Sequence, residues 1–233
     1  NVAAYIEGSE FPDEYIILTA HLDHVGIQNG EIYNGADDDG SGTIGILEIA
    51  EAFIKAKKAG HGPKRSIIFL HVTAEERGLL GSQYYVDYDP LVPLKETMVN
   101  LNIDMIGRTD PNRGIRNTNY IYIIGSDILS DDLHEVNKKA NEDNVNLELD
   151  YRYNDPTYPV FESGRIIENQ YYYRSDHYHF VKNNIPAIFF FSGTHVDYHE
   201  PTDTAEKILY DLYEKRVKLI FHTTWDLANR KER

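Results

Sequence analysis

The stretch Ser66-Ile-Ile-Phe-Leu-His-Val-Thr73 is apolar at successive rather than alternate positions, and it runs through Ala74 straight into two carboxylates, Glu75 and Glu76. A strand apolar on both faces needs a cover on each, so its chain must supply helices above and below a sheet. Residues 2–8, 15–20, 98–103, 120–124 and 187–191 read as further strands, several of them also apolar on both faces. Between them Ile44, Leu47, Ala50, Phe53 and Ile54 trace one helical stripe that stops at Gly60, and 131–141 forms a second, more polar helix. A short helix is expected over 175–183, and a long closing one over 204–229 with Thr202 or Thr204 as its cap. The expected architecture is α/β: a single domain over 1–233 with a mostly parallel, mixed central sheet covered by helices on both faces. Residues 147–173, rich in tyrosine and broken by Pro156 and Pro159, are expected to form a loop over the functional site.

With 233 residues, 41% of them hydrophobic, the chain holds material for one substantial core. Its 38 acidic and 23 basic residues give a net charge of −15, which argues against nucleic acid or an anionic membrane as partner and favours cations. Zero cysteines exclude thiolate metal sites, disulfides and cysteine nucleophiles. Any metal must therefore be held by His, Asp and Glu. No apolar run approaches the roughly 18 residues of a membrane span, and no signal peptide opens the chain. Because it starts at Asn1, already within a strand-like segment, the chain is expected to be a fragment lacking upstream residues.

The paired glutamates are costly to desolvate unless a cation or a reaction needs them. The other candidates share their placement. His21 and Asp23 follow the second predicted strand, Asp104 follows the fourth, and His199 lies beyond the last. Open α/β sheets bind ligands at that edge. One further acidic group, Asp37-Asp38-Asp39, sits in Gly35-Ala-Asp-Asp-Asp-Gly-Ser-Gly42 at the entry to the first long helix. Singly, each has an ordinary reading: a surface turn for His21-Leu22-Asp23, a helix cap for Asp37 to Asp39, a satisfied buried carboxylate for Asp104, a loop histidine for His199. Their common edge changes the balance.

Together His21-Leu-Asp-His24, Gly35 to Gly42, Thr73-Ala-Glu-Glu-Arg-Gly-Leu-Leu-Gly-Ser82, Asn102-Ile-Asp-Met105 and Tyr198-His-Glu-Pro-Thr-Asp203 resemble the successive metal motifs of the M28 family of zinc aminopeptidases, across essentially the whole chain. The resemblance implies His21 and Asp104 as ligands of one metal, Glu76 and His199 as ligands of the other, and Asp38 as the bridge. It also implies a cis peptide at Asp38-Asp39, and Asp23 and Asp203 as acids orienting the ligand imidazoles. With Glu76 holding metal, Glu75 is left to act as general base. Tyr198 resembles the family tyrosine that donates to the oxyanion. Asp176, in Ser175-Asp-His177, is expected as a supporting or substrate contact, while His177 and His179 are expected not to be ligands. His24, His61, His71, His134, His195 and His222 are assigned ordinary surface or core roles. Three ligand carboxylates and a hydroxide balance two divalent ions, so such a cluster is neutral and can be buried. Imidazole and carboxylate donors suit two Zn²⁺, with Co²⁺ or Mn²⁺ as substitutes.

The implied activity is a di-zinc aminopeptidase acting on peptides with a free N-terminus. A glutaminyl cyclase, a dipeptidase or carboxypeptidase, and a catalytically silent binding module stay open beside it, since the pocket and not the metal cluster decides which terminus is accepted. Family analogy alone suggests a periplasmic or secreted location. Oligomeric state is not readable from these residues.

Overall fold

The computed structural model describes residues 1–113, 118–162 and 165–231. In chain order the strands are β1 (Val2–Ile6), β2 (Phe11–His21), β3 (Ile27–Gln28), β4 (Glu31–Ile32), β5 (Arg65–Val72), β6 (Thr97–Ile103), β7 (Tyr120–Ile124), β8 (Glu148–Asp150), β9 (Val160–Glu162), β10 (Arg165–Ile167) and β11 (Ala187–Phe191). The α-helices are α1 (Gly40–Lys58), α2 (Leu80–Asp87), α3 (Asp131–Asn144), α4 (His177–Lys182) and α5 (Tyr210–Asn229). Seven strands form one mixed sheet in the order β1-β5-β2-β6-β11-β7-β8, and β3-β4 and β9-β10 are small separate hairpins. The central β5, β2, β6 and β11 are mutually parallel, so their C-terminal ends open on one edge.

Alternation within the buried strands sends side chains to two covers. Ile16, Leu18 and Ala20 of β2 and Ile67 and Phe69 of β5 pack with Ile46, Ile49 and Phe53 of α1, Leu219 and Ile220 of α5, and Leu133 and Val136 of α3. Their neighbours Ile17, Ile68, Leu70 and Val72 face Tyr85 and Val86 of α2 and Phe180 of α4. Toward β11 and β7 this second face is aromatic, with Tyr120, Tyr122, Tyr153, Tyr171, Phe189 and Phe191 packed together. The expected helix-covered sheet is present, and all six strands read from the sequence occur.

Four local expectations are corrected. In α1 the buried face is Ile46, Ile49 and Phe53, while Ile44, Leu47 and Ile54, assigned to the inner stripe, are exposed. Ser41, Gly42 and Gly45 share the buried face, and at Gly42 the helix start approaches β6 too closely for any side chain: a Cβ there would lie 2.4 Å from the carbonyl oxygen of Ile103. Apolar periodicity could not register a face begun by glycine and serine. Helix α2, unassigned from sequence, starts at Leu80, after the short turn that carries the paired glutamates. The closing helix starts at Tyr210, with neither Thr202 nor Thr204 as its cap. Ile208 is buried in extended backbone and Leu209 N donates to Gly107 O at 2.9 Å, which holds the chain out of helix until Tyr210. Finally, residues 147–173 are more than a loop: β8 extends the sheet beside β7, and Tyr153, Val160 and Tyr171 are buried. Residues 163 and 164 of that stretch lie outside the described residues.

Candidate metal centre

The three aspartates entering α1 point three ways. Asp39 caps α1 by accepting from Gly42 N at 2.9 Å, and it also accepts from Met105 N and His21 N, tying the helix start to the ends of β6 and β2. Asp37 accepts from Gly107 N at 2.6 Å and sets its other oxygen 3.2 Å from His195 Nε2. Asp38 faces the sheet edge between two imidazoles, with Oδ1 3.2 Å from His21 Nε2 and Oδ2 3.1 Å from His199 Nε2. The Asp38-Asp39 peptide is cis.

His21 ends β2. Its Nδ1 lies 2.9 Å from the Asp23 carbonyl oxygen, which can only accept, so Nδ1 carries a hydrogen; Nε2, protonated while it bonds Asp38, turns a lone pair toward Asp38 and Asp104 once that proton leaves. That is the tautomer a metal requires. Asp104 follows β6, with Oδ2 3.8 Å from His21 Nε2. It is aimed by a hydrogen-bonded chain through the sheet: Asn100 Nδ2 donates to Thr19 Oγ1, Thr19 to Asn102 Oδ1, Asn102 Nδ2 to Ser175 Oγ, and Ser175 to Asp104 Oδ2 at 2.7 Å.

After β5, Ala74 takes a left-handed conformation (φ 58°) that swings the paired glutamates toward the edge. Both Asp23 oxygens accept backbone hydrogens there, from Glu75 N at 3.1 Å and Glu76 N at 3.3 Å. Glu76 Oε2 lies 3.2 Å from His199 Nε2, and Oε1 lies 3.0 Å from His24 Nδ1. His199 is itself left-handed (φ 55°), and the Tyr198 ring stacks on its imidazole with centroids 3.9 Å apart.

Charge is unequally held. For Asp38 the cost of burial is outweighed by hydrogen bonds to His199 and His21, which keep it well below the usual carboxylate range. Burial of Glu76 is likewise outweighed, by His199 and His24, and its carboxyl is held down at about 2. Burial opposes protonation of His199, but Asp38 and Glu76 hold it up at about 10. For Glu75 burial, reinforced by Asp104, Asp176 and Asp38, outweighs the attraction of His21 and pushes it up to about 9. Asp104 is raised by burial as well. Acids this crowded need positive charge.

The donor set fits divalent metal. One ligand atom each from His21, Asp38 and Asp104, and one each from His24, Asp38 and Glu76, lie within 4.8 Å of one another. Among the described residues, buried His21 Nε2, Asp38 Oδ2, Glu76 Oε1 and both ring nitrogens of His24 find no hydrogen-bond partner outside this cluster. Orphaned acceptors at this density demand an explanation, and an ion supplies one.

All five expected ligands, and Glu75 and Tyr198 beside them, thus meet at one edge. Two supporting acids act differently from expectation, and the third keeps one of its two expected roles. Asp23 faces His21 through its backbone carbonyl and gives its side chain to the Glu75-Glu76 backbone. Asp203 does not meet His199; its Oδ2 accepts from Asp37 N and Asp38 N, and its Oδ1 lies 3.9 Å from His195 Nε2. Asp176 is fully buried behind Glu75 and Asp104, which leaves no surface for a substrate, and burial raises its carboxyl to about 6. His177 stacks on Phe189 and His179 lies on α4; neither is within either group of donors.

Sequence reasoning set His24 and His195 aside, and both belong here. His24 is three residues past His21, where the chain has just left β2, and His195 packs under Asp37. Arg174 was also missed. It donates to Tyr198 OH at 3.3 Å and lines a cleft with Glu75, Asp104, Tyr171, Phe189, Phe191 and Thr194. Its position directly before Ser175-Asp176 was the available signal.

The comparisons agree with this geometry. A profile of peptidase family M28 matches residues 1–224. The probable glutamate carboxypeptidase LAMP1 of Arabidopsis thaliana is 38% identical over 104 residues, covering 45% of this chain and 14% of that protein. The probable leucine aminopeptidase 2 of Aspergillus oryzae is 32% identical over 193 residues, covering 83% of this chain and 33% of its own. The chain therefore spans a third or less of the length of these relatives. A zinc aminopeptidase of Bacillus subtilis, BSAP, superimposes with a TM-score of 0.75 at 23% identity, covering 99% of this chain and 50% of that one. Sequence match over nearly its full length and a shared fold place one conclusion beyond argument: the chain belongs to peptidase family M28.

Proposed function

We propose that this chain is the catalytic domain of a two-metal aminopeptidase. One observation carries the reading: the two oxygens of Asp38 face different imidazoles, His21 and His199, with Asp104 beside the first and Glu76 beside the second. A carboxylate so divided suits a bridge between two ions. His21, Asp38 and Asp104 would hold one, and Asp38, Glu76 and His199 the other; Zn²⁺ fits these donors, and Co²⁺ or Mn²⁺ could replace it.

Bound there, such ions would acidify water and polarise the scissile carbonyl. Glu75 does the proton work. It lines the cleft and ligates nothing in this reading, so its carboxylate is free to take a proton from the attacking water and pass it to the leaving amine nitrogen. The water oxygen bonds to the carbonyl carbon, the carbon–nitrogen bond breaks, and the amine departs protonated. Tyr198 OH lies at the cleft and is positioned by Arg174 to donate to the carbonyl oxygen as charge develops. Tyr171, Phe189 and Phe191 form the apolar wall. The acidic edge and the net charge of −15 favour a substrate with a free α-amino group.

A carboxypeptidase reading has its own support in Arg174, a cation in the cleft able to pair with a terminal carboxylate. Aminoacyl nitroanilides, their N-acetylated forms, N-acylated dipeptides and an N-terminal glutamine substrate separate the possibilities. Release from unblocked nitroanilides alone is expected. Cleavage of the N-acylated dipeptides instead would favour the carboxypeptidase, and loss of ammonia from glutamine the cyclase. Export to the periplasm or medium is part of the same proposal, and localisation of the native protein in cell fractions tests it.

A further inference from the structure

His24 has no ordinary role in this structure. Its side chain is only 9% exposed; among the described residues Nε2 has no hydrogen-bond partner, and Nδ1 meets only carboxylate oxygens of the centre. A buried imidazole with one nitrogen unsatisfied and the other set against metal-site carboxylates is costly, and a core position would be better served by an apolar residue. Nδ1 is aimed at the two carboxylates that also face His199: it lies 3.0 Å from Glu76 Oε1 and 3.8 Å from Asp38 Oδ2. The two imidazoles meet edge to face, with ring centroids 5.7 Å apart.

The loop carrying Asp38 is also shaped around this ring. Gly35 has φ +63°, and a Cβ there would lie 2.5 Å from His24 Cγ and 2.4 Å from the Asp38 carbonyl oxygen. No larger residue leaves room for the imidazole and for the turn that delivers Asp38.

We propose that His24 is a further metal ligand, so that the Glu76 side of the centre has four protein donors, His24, His199, Asp38 and Glu76. The inference rests on the two-metal reading above and deepens it. Its consequence is asymmetry. The His21 side has one imidazole and two carboxylates, leaving room for water or substrate, as catalytic zinc sites do. The Glu76 side has enough donors to close a tetrahedral shell, as structural sites do, and two nitrogen ligands favour Zn²⁺ over the oxygen-preferring Mn²⁺. The Glu76 side accordingly loads first and releases last, and the exchangeable ion is the one beside Asp104.

The test is metal binding by the metal-free protein, followed with Co²⁺ by calorimetry and visible absorption, together with X-ray absorption of the form loaded with one equivalent of Zn²⁺. Wild type should take up two ions in distinguishable steps, and the one-ion form should show two imidazole ligands. His24→Ala should weaken the tighter step by at least about a hundredfold, the upper end of what removing a supporting residue costs. The weaker step should change little. Two ions bound by His24→Ala with wild-type affinities would overturn the proposal while leaving the two-metal reading intact. A single imidazole in the wild-type one-ion form would overturn it as well, without depending on how the variant folds. Wild type that binds fewer than two ions would bring down the two-metal reading itself.

Discussion

Adjacent carboxylates have unlike surroundings at the residue scale, and the proposed division of work rests on that contrast. Glu76 has two imidazoles within 3.2 Å, and Glu75 has burial and neighbouring acids. Glu75→Gln keeps the shape and removes the proton acceptor. It should lower kcat by about 10²- to 10⁴-fold, the range of general-base contributions, while metal content by atomic absorption stays at the wild-type value. Loss of metal from this variant would move Glu75 into the ligand set. The same contrast sets a pH dependence in the metal-free protein. Glu75 is raised to about 9 from 4.5, so its contribution to stability is complete below about pH 4.5 and lost as pH rises to about 9. His199 is raised to about 10 from 6.5, and its contribution is complete below about 6.5 and likewise lost on the alkaline side. Glu76 is lowered to about 2, so its contribution is present above about 4.5 and lost as pH falls toward 2. Between about pH 5 and 9 the first two act in the same direction. The Tm of chelator-treated protein should therefore fall across that window, and the increase on adding Zn²⁺ should grow, because ligands that give up protons bind metal better. A metal-free Tm that climbed from pH 6 to 9 would contradict these assignments.

At the scale of elements, the site depends on how strand ends and one helix start are tied together. Asp39 secures α1, β2 and the turn after β6 at once, and the polar chain from Asn100 to Asp104 crosses the sheet beneath the centre. Ser175→Ala cuts that chain at its last link. Removing the donor from a buried carboxylate should cost about 1–3 kcal/mol of stability by denaturant unfolding, and should weaken binding of the ion beside Asp104 more than the other. Equal weakening of both would mean that Ser175 does not orient Asp104 selectively. Helix α1 offers a sharper contrast. Ile49 is 1% exposed and Leu47 52% exposed. Ile49→Ala should cost about 2–5 kcal/mol, typical of a core truncation, whereas Leu47→Ala should stay within about 0.5 kcal/mol, typical of a surface change. The apolar spacing in the sequence points to the reverse for Leu47. Hydrophobicity reports what a residue can bury, but the buried face of α1 begins with Ser41, Gly42 and Gly45, of which Gly42 sits too close to β6 for a side chain.

Across the whole molecule, four parallel strands deliver residues from position 21 to position 199 to one edge, and the cluster they form is strongly acidic until cations neutralise it. Metal binding only to the folded form should stabilise it by mass action, so chelation should lower Tm as well as activity; a Tm indifferent to chelator would mean the donors are not assembled. Much of this was legible in advance. Strands apolar on both faces required a helix-covered parallel sheet, and such a sheet binds ligands at its C-terminal edge, so the gathering of His21, Glu75, Glu76, Asp104 and His199 could be expected from their positions after strands, while Asp38 and Tyr198 could be named only from the resemblance to the M28 motifs. Other features depended on the path of the chain between elements. Whether Asp203 meets His199 or the backbone of Asp38, whether Asp176 faces substrate or lies behind the acids, and whether His24 is a turn residue or a neighbour of Glu76 are decided by loop geometry across contacts distant in sequence. Periodicity and motif report local preference and the sheet edge to which a residue comes. Which atom it turns toward, and what is left unpaired there, is decided only when the strands are packed, because burial and partner both come from other parts of the chain.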